Sequence, residues 1–311
     1  MQSNEVVRFA SRNPDDFKDI LSGERWAAQP SVPLAGFLRL PQSMAGAVPL
    51  VIISIGSGGF GSGREALYSD VFACSGVATL AVDSFGARGF SETRSDQGLI
   101  SFATSCADAI CALQAMSSDT RIDPERIGLL GYSRGGGAVL MTDHERLQGA
   151  IVGPGPRFAA YMALYPSVWL RWKHPQPTRG PIFVAPAAND DMAPPARVRA
   201  RTDALAEAGA AVETCIIPEV GHSFDAVYPA AYKPESNRSE WDIVVDDDGS
   251  MQETVTGIVQ DAGWPAFLQQ IGRVHEKRGG TTGNGPLPRT VAVDPLMRFV
   301  QRALIGRDSA R

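Results

Sequence analysis

Ser133 stands at the centre of Gly131-Tyr132-Ser133-Arg134-Gly135, between one apolar run at 127–130 and another at 138–141. That pattern predicts a strand, a sharp turn and a helix, with a hydroxyl at the apex. The two glycines have a steric reason. So tight a turn strains the serine backbone, and only hydrogen side chains fit two residues to either side. The turn lifts the hydroxyl above the sheet edge and aims the first N–H groups of the following helix at whatever the hydroxyl attacks. A serine hydroxyl is a poor nucleophile near neutral pH. It needs an imidazole to take its proton and a carboxylate to hold that imidazole in one tautomer.

His222 comes shortly after the apolar run 211–217, and Asp190 shortly after the run 181–186. Reactive groups of doubly wound sheets collect at the carboxyl ends of strands, and Ser133, Asp190, His222 follow one another in the order serine, acid, histidine. Taken singly, His222 reads as a polar loop residue and Asp190 as a helix-capping one; their joint order and placement make a triad. Asp191 is the rival acid, and Asp190 is preferred because it stands four residues before Pro194, where a helix is expected to start. His144, His174 and His275 lie in charged or proline-flanked stretches that read as solvated surface. An oxyanion would need two backbone N–H groups. Arg134 supplies one, and Ser57 or Gly58 the other, from the glycine-rich loop 56–63.

Positioning these residues requires a sheet. Residues 49–55 and 77–82 are apolar runs of the kind buried in parallel sheets. Further strands are expected at 32–40, 127–130, 158–164, 181–186 and 211–217, and helices at 99–116, 195–208 and 294–304. This alternation implies a mostly parallel sheet with helices on both faces. Residues 1 to 30 are polar and read as irregular and partly helical. From 226 to 288 the pattern weakens: Asp242, Asp246, Asp247 and Asp248 and the glycine-rich 279–285 read as loop, with one or two helices in 251–274.

The chain has 311 residues, 44% of them apolar, which suffices for one large α/β domain. A net charge of −5 without a basic stripe gives no footprint for nucleic acid or an anionic membrane. No apolar run approaches the roughly 18 residues of a spanning helix. Residues 1–17 lack the apolar core of a secretory signal, so a cytoplasmic location is expected. Cys74, Cys106, Cys111 and Cys215 match no zinc spacing and read as reduced core thiols, and the scattered histidines imply no metal site.

Several segments together resemble the dienelactone hydrolase family of α/β-hydrolases: Gly56-Ser57-Gly58-Gly59, Asp83-Ser84-Phe85-Gly86-Ala87-Arg88-Gly89, Ile122-Asp123-Pro124-Glu125-Arg126-Ile127, the serine turn with Gly136, and Gly221-His222-Ser223-Phe224-Asp225. The likeness runs from about 45 to 228, and the Asp83–Gly89 stretch is its most specific part. It implies an α/β-hydrolase fold with a mostly parallel doubly wound sheet flanked by helices, and an insertion before the last helix. Residues 1–44 would form an N-terminal segment with the first strand, and 45–311 the catalytic domain. By this resemblance Ser133, Asp190 and His222 are nucleophile, acid and base of a serine esterase or lactonase. No cofactor is implied, and the partner is a small-molecule ester. The chain departs from the family in three ways. The namesake enzymes use cysteine where Ser133 stands, relatives often carry histidine at the position of Ile55, and 229–290 exceeds the family core, as a lid or a homodimer contact.

Some residues keep two readings. Arg88 either meets a substrate carboxylate as a bidentate donor or pins its own loop. Tyr165, Trp169 and Trp172 either line an acyl pocket or pack a core. Gly56-Ser57-Gly58-Gly59-Phe60-Gly61, with Asp83 ending the next strand, also spells a dinucleotide-binding fingerprint, which would leave Ser133, Asp190 and His222 without a role. Amide cleavage by the same triad and a non-catalytic binding role complete the alternatives.

Overall fold

The computed structural model describes residues 5–306, apart from the side chains of Glu235 and Ser236. The outermost residues of the expected segments, 1–4 and 307–311, lie outside the described residues.

The strands are β1 (Glu5–Ser11), β2 (Val32–Arg39), β3 (Val48–Ser54), β4 (Ala78–Asp83), β5 (Ile122–Tyr132), β6 (Ala160–Leu164), β7 (Leu170–Trp172), β8 (Ile182–Ala185) and β9 (Val212–Thr214), followed by β10 (Ala231–Asn237), β11 (Ile243–Val245), β12 (Met251–Glu253) and β13 (Arg278–Thr282). Eight of them form one sheet in the order β1-β2-β4-β3-β5-β6-β8-β9. β1 and β2 pair antiparallel, as do β2 and β4, and every later pairing is parallel. All seven residues of β3 are buried, because helices cover both faces of the sheet and leave no solvated side. β1 was not anticipated: residues 1–30 read as irregular and partly helical, yet Glu5–Ser11 form an edge strand whose exposed positions include Val6 and Ala10 and whose buried ones include Ser11, so the apolar–polar alternation is lost.

The helices are α1 (Phe17–Leu21), α2 (Gly23–Ala28), α3 (Arg64–Cys74), α4 (Phe102–Met116), α5 (Arg134–Thr142), α6 (Glu145–Val152), α7 (Pro195–Glu207), α8 (Trp264–Val274) and α9 (Val293–Val300). α4 starts later than the expected 99, because Ser101 caps it by accepting from Thr104 N–H. α7 opens on a proline, which lacks the N–H that a first turn would leave unbonded.

The insertion is more ordered than its composition suggests. β11 and β12 add to β7 as a three-stranded sheet, so Asp242 and Asp246 flank a strand instead of lying in a loop. β10 and β13 form a two-stranded ribbon, so the glycine-rich stretch 279–285 is partly strand. Of 251–274 only the second half is helix.

Two further expectations are corrected. Cys106 and Cys111 are buried, but Cys74 is exposed and Cys215 half-buried. His144 is not on the surface: it is 1% exposed and its ring stacks on Trp172 with centroids 4.0 Å apart. His275 is also largely covered, with Nε2 3.3 Å from a carboxylate oxygen of Glu253. Both lie in charged sequence but face aromatic side chains contributed from elsewhere. His174 is exposed, as expected.

Candidate active site

The carboxyl ends of β5, β8 and β9 lead into the loops that hold Ser133, Asp190 and His222. At Ser133 the chain has φ 54° and ψ −120°, a conformation costly for any side-chain-bearing residue. Its surroundings leave no alternative. A Cβ on Gly131 would lie 2.3 Å from the Gly135 carbonyl oxygen, and one on Gly135 would lie 2.1 Å from that of Ser54. The strained residue is fastened on both sides, since Ser133 N–H donates to Leu164 O at 3.0 Å and Ser133 O accepts from Ser167 N–H at 2.9 Å. Tyr165 (φ 34°) and Ser223 (φ 63°), beside the same site, also have positive φ.

Ser133 Oγ lies 2.8 Å from His222 Nε2, and His222 Nδ1 lies 2.8 Å from Asp190 Oδ2. A carboxylate only accepts, so Nδ1 carries the proton and Nε2 is left to accept from the serine hydroxyl. The other Asp190 oxygen accepts from Met192 N–H at 2.9 Å and Ala193 N–H at 2.8 Å, which fixes the carboxylate plane. Asp191 faces elsewhere and accepts from Thr281 N–H of β13. His222 is 3% and Asp190 4% exposed, so this chain of hydrogen bonds is shielded from water.

Arg134 opens α5, where a first-turn N–H has no partner within the helix. Ser57 and Gly58 line the same small chamber as Ser133 and His222. The Ser57 loop is held twice: its carbonyl accepts from Thr93 N–H at 2.8 Å, and its hydroxyl accepts from Gln97 Nε2 at 2.8 Å. Gln97 Oε1 in turn accepts from Arg134 Nη1 at 2.7 Å. The Arg134 side chain is 2% exposed and lies over the Phe102 ring, 4.5 Å from its centroid. Burial, with the like charge of Arg238, pulls its pKa down to about 9, which leaves it cationic at neutral pH. Gln97 therefore ties the serine turn to the glycine-rich loop.

Behind His222 lies a buried polar cluster. The Tyr165 ring packs edge-on to the imidazole with centroids 5.1 Å apart. Its hydroxyl donates to Asp225, which also accepts from Tyr68 at 2.7 Å. Arg64 donates to Tyr165 Oη at 2.9 Å and to Ser223 Oγ at 3.3 Å. Tyr165 is thus fully buried scaffolding of the histidine loop and lines neither chamber beside Ser133. Trp169 does line one of them, with Ser167 and Met192.

Arg88 is not brought to the site. Its guanidinium forms a buried two-pronged ion pair with Asp108 at 2.8 and 2.9 Å and also donates to Ser84 O, Arg12 O and Asn13. Loop pinning is the reading the geometry carries. Asp83 likewise turns inward, accepting from Phe85 and Gly86 N–H of its own turn, so it is not presented to a nucleotide ribose.

Sequence reading missed Gln97, Arg94, Met192, Lys233, Arg238 and Thr282, all of which line the chamber at Ser133. The insertion also holds the histidine in place: His222 O accepts from Gly283 N–H at 2.9 Å, and His222 bridges to Thr282. Such contacts run through backbone groups and leave no residue-type signal.

A doubly wound sheet with antiparallel first strands, a serine on a strained strand-to-helix turn, and an acid and a histidine at later strand ends define an α/β-hydrolase. The family model of the dienelactone hydrolase family matches residues 35–247, and the chain belongs to that family, hydrolases of ester bonds. A candidate dienelactone hydrolase from Klebsiella pneumoniae subsp. pneumoniae MGH 78578 superposes with TM-score 0.52 at 18% identity, covering 76% of this chain and 95% of that one. Esterase 2 of Thermogutta terrifontis with propionate bound gives TM-score 0.49 at 18% identity, covering 63% and 82%. The same esterase phosphoramylated by tabun gives 0.48 at 18% identity, covering 63% and 81%. No curated protein sequence matches the chain.

Proposed function

We propose that this family member cleaves carboxylic esters or lactones through an acyl-enzyme on Ser133. The carrying observation is the continuous hydrogen-bonded path from Ser133 Oγ through His222 to Asp190, with both links at 2.8 Å. Ser133 Oγ attacks the carbonyl carbon while its proton passes to His222 Nε2. Asp190 holds the imidazolium that forms. The N–H groups of Arg134 and of Ser57 or Gly58 receive the negative charge that develops on the carbonyl oxygen. Collapse expels the alcohol, which takes the proton from His222. Water then attacks the acyl-serine, with His222 as base, and releases the acid and the free serine. In a lactone the alcohol stays tethered to the acyl group and leaves with it. No helix among the described residues is long and apolar enough to cross a membrane.

The test is fluorophosphonate labelling beside turnover of 4-methylumbelliferyl acetate, for the wild type and for Ser133→Ala. Labelling and turnover in the wild type should both vanish in the variant, with kcat falling by about 10⁴ or more. A folded wild type that neither labels nor turns over would overturn the reading.

A further inference from the structure

The space around Ser133 is lopsided. Two small chambers of about 50 and 40 Å³ adjoin its hydroxyl. Each holds only about three or four waters, room for an acetyl or propionyl group and not for a fatty chain. One of them opens into a cleft of about 900 Å³ that shares Arg94, Gln97, Lys233 and Arg238 with it. The cleft is walled on one side by residues 92–98 and on the other by β10, α8 and the residues after each. At about 900 Å³ it is large even for a small-molecule site, which spans roughly 300–1,000 Å³.

Charge is distributed just as unevenly. The chamber at Ser133 is lined by Arg64, Arg94, Lys233 and Arg238 and, among the described residues, by no acid, although the whole chain carries a net charge of −5. A Cβ on Gly58 would lie 3.9 Å from the Arg64 guanidinium and 4.0 Å from that of Arg94, so two guanidiniums flank the glycine-rich loop. Of the acids on the rim of the cleft, Glu92 accepts from Arg94 and Ser95 N–H, and Asp96 accepts from Gly98 N–H and lies close enough to Arg238 to favour its charged form. Arg88, which the sequence offered for a substrate carboxylate, is sealed against Asp108.

We infer that the substrate is an ester joining a short acyl group to a larger alcohol that bears an acidic group, the alcohol half lying in the 900 Å³ cleft with its anion at Arg94, Lys233 and Arg238. This inference rests on the serine-hydrolase reading. The acyl half must sit against the N–H donors and therefore in the small chambers, which leaves the cleft to the leaving group. Two of the three neck cations come from the insertion, so the insertion sets specificity for the half of the substrate that departs.

Two series on the intact chain test this. With 4-methylumbelliferyl esters, kcat/KM should fall by at least about tenfold from acetate to octanoate, the loss expected when a well-packed site must move to admit six more methylenes. With acetate held constant, 4-acetoxybenzoate should be preferred to the uncharged 4-acetoxybenzamide by about tenfold, the order of one charge-assisted contact. That ratio should shrink toward one with added salt and in Arg94→Gln and Lys233→Gln, whose exposed positions leave folding unthreatened. Equal rates for acetate and octanoate, or no preference for the acidic alcohol, would overturn the inference while fluorophosphonate labelling still stood. Loss of labelling in the wild type would instead overturn the hydrolase reading beneath it.

Discussion

The strand-end loops of the main sheet and the insertion after β9 meet at His222, and they are held by different forces. The loops of the sheet are fixed by sterics. Gly131 and Gly135 have no room for a Cβ, and Ser133 is bonded through both its N–H and its carbonyl to the β6 loop. The insertion is fixed by short ladders and by exposed ion pairs such as Lys173–Asp246 and Arg171–Asp242, which individually contribute about 0–1 kcal/mol. Yet the insertion bonds the loops beside Ser133 from outside, through Gly283 N–H to His222 O and through Thr281 N–H to Asp191, the neighbour of Asp190. The loops of the sheet carry Ser133, Asp190 and His222, and the insertion bonds to those loops and forms one wall of the adjoining cleft.

The contrast between Asp190 and Asp191 tests that division most sharply. Asp190→Asn keeps the shape of the carboxylate but favours the wrong imidazole tautomer, and kcat should fall by about 10⁴. Asp191→Ala removes only the link to β13, and kcat/KM should fall by about tenfold or less. Comparable losses in steady-state ester turnover would mean that the insertion is part of the catalytic machinery.

A second comparison sets Arg88 against the neck cations. Arg88→Gln leaves Asp108 buried without its counter-charge, and urea unfolding should register a loss of about 3–5 kcal/mol. KM for 4-acetoxybenzoate should not change. A raised KM with undiminished stability would restore Arg88 as a substrate contact.

Gln97 sits on the seam between the regions, bonded to Ser57 on one side and Arg134 on the other. Its truncation to alanine frees the glycine-rich loop to shift. A displacement near an ångström costs up to about 10²-fold in rate, so kcat should fall by about 10–100-fold with a smaller change in KM. A pure KM effect would make Gln97 a binding residue and not a positioning one.

The same division explains what could be read from the chain. The serine turn was legible because sterics dictate its residue types. Asp190, whose carboxylate meets His222, was separable from Asp191 by its spacing from Pro194, where the next helix begins. Buried strands such as β3 announced themselves as unbroken apolar runs. β1 did not, since it exposes Val6 and Ala10 and buries Ser11, which breaks the alternation a strand with one wet face otherwise shows. β10 to β13 did not either, because charged and glycine-rich residues can form short ladders whenever a neighbouring strand offers hydrogen bonds. Arg88 and Tyr165 kept two readings, substrate contact or packing, because position after a strand does not decide between them. Their partners, Asp108 on α4 and Asp225 after His222, come from distant parts of the chain. His144 was misplaced for the same reason, as Trp172 reaches it from another element.

In the core, two neighbours titrate in opposite senses and nearly cancel in the wild type. Burial pushes the Asp143 carboxyl up to about 6 and the His144 imidazole down to about 4. Arg201, buried beside both, favours the carboxylate and disfavours the imidazolium. As pH falls below about 6.5, the unfolded chain protonates its histidine while the folded one does not, so His144 costs stability, up to about 3 kcal/mol by pH 4. Asp143 works the other way. Between pH 6 and 4 the folded state holds its proton while the unfolded state has lost it, so stability rises as pH falls, by about the same amount. Together they should leave this part of the protein almost indifferent to pH between 6 and 4. The exposed acids of the insertion, Asp246 and Asp248, have lowered pKa values from Lys173 and Ser250 and act only below about pH 4. Asp143→Asn should therefore unmask His144, giving a variant whose urea midpoint, relative to wild type, drops steadily from pH 7 to pH 4. His144→Gln should show the reverse slope. If neither substitution tilts the curve, the pair does not titrate in this range, and the acid limb of stability belongs to the insertion after all.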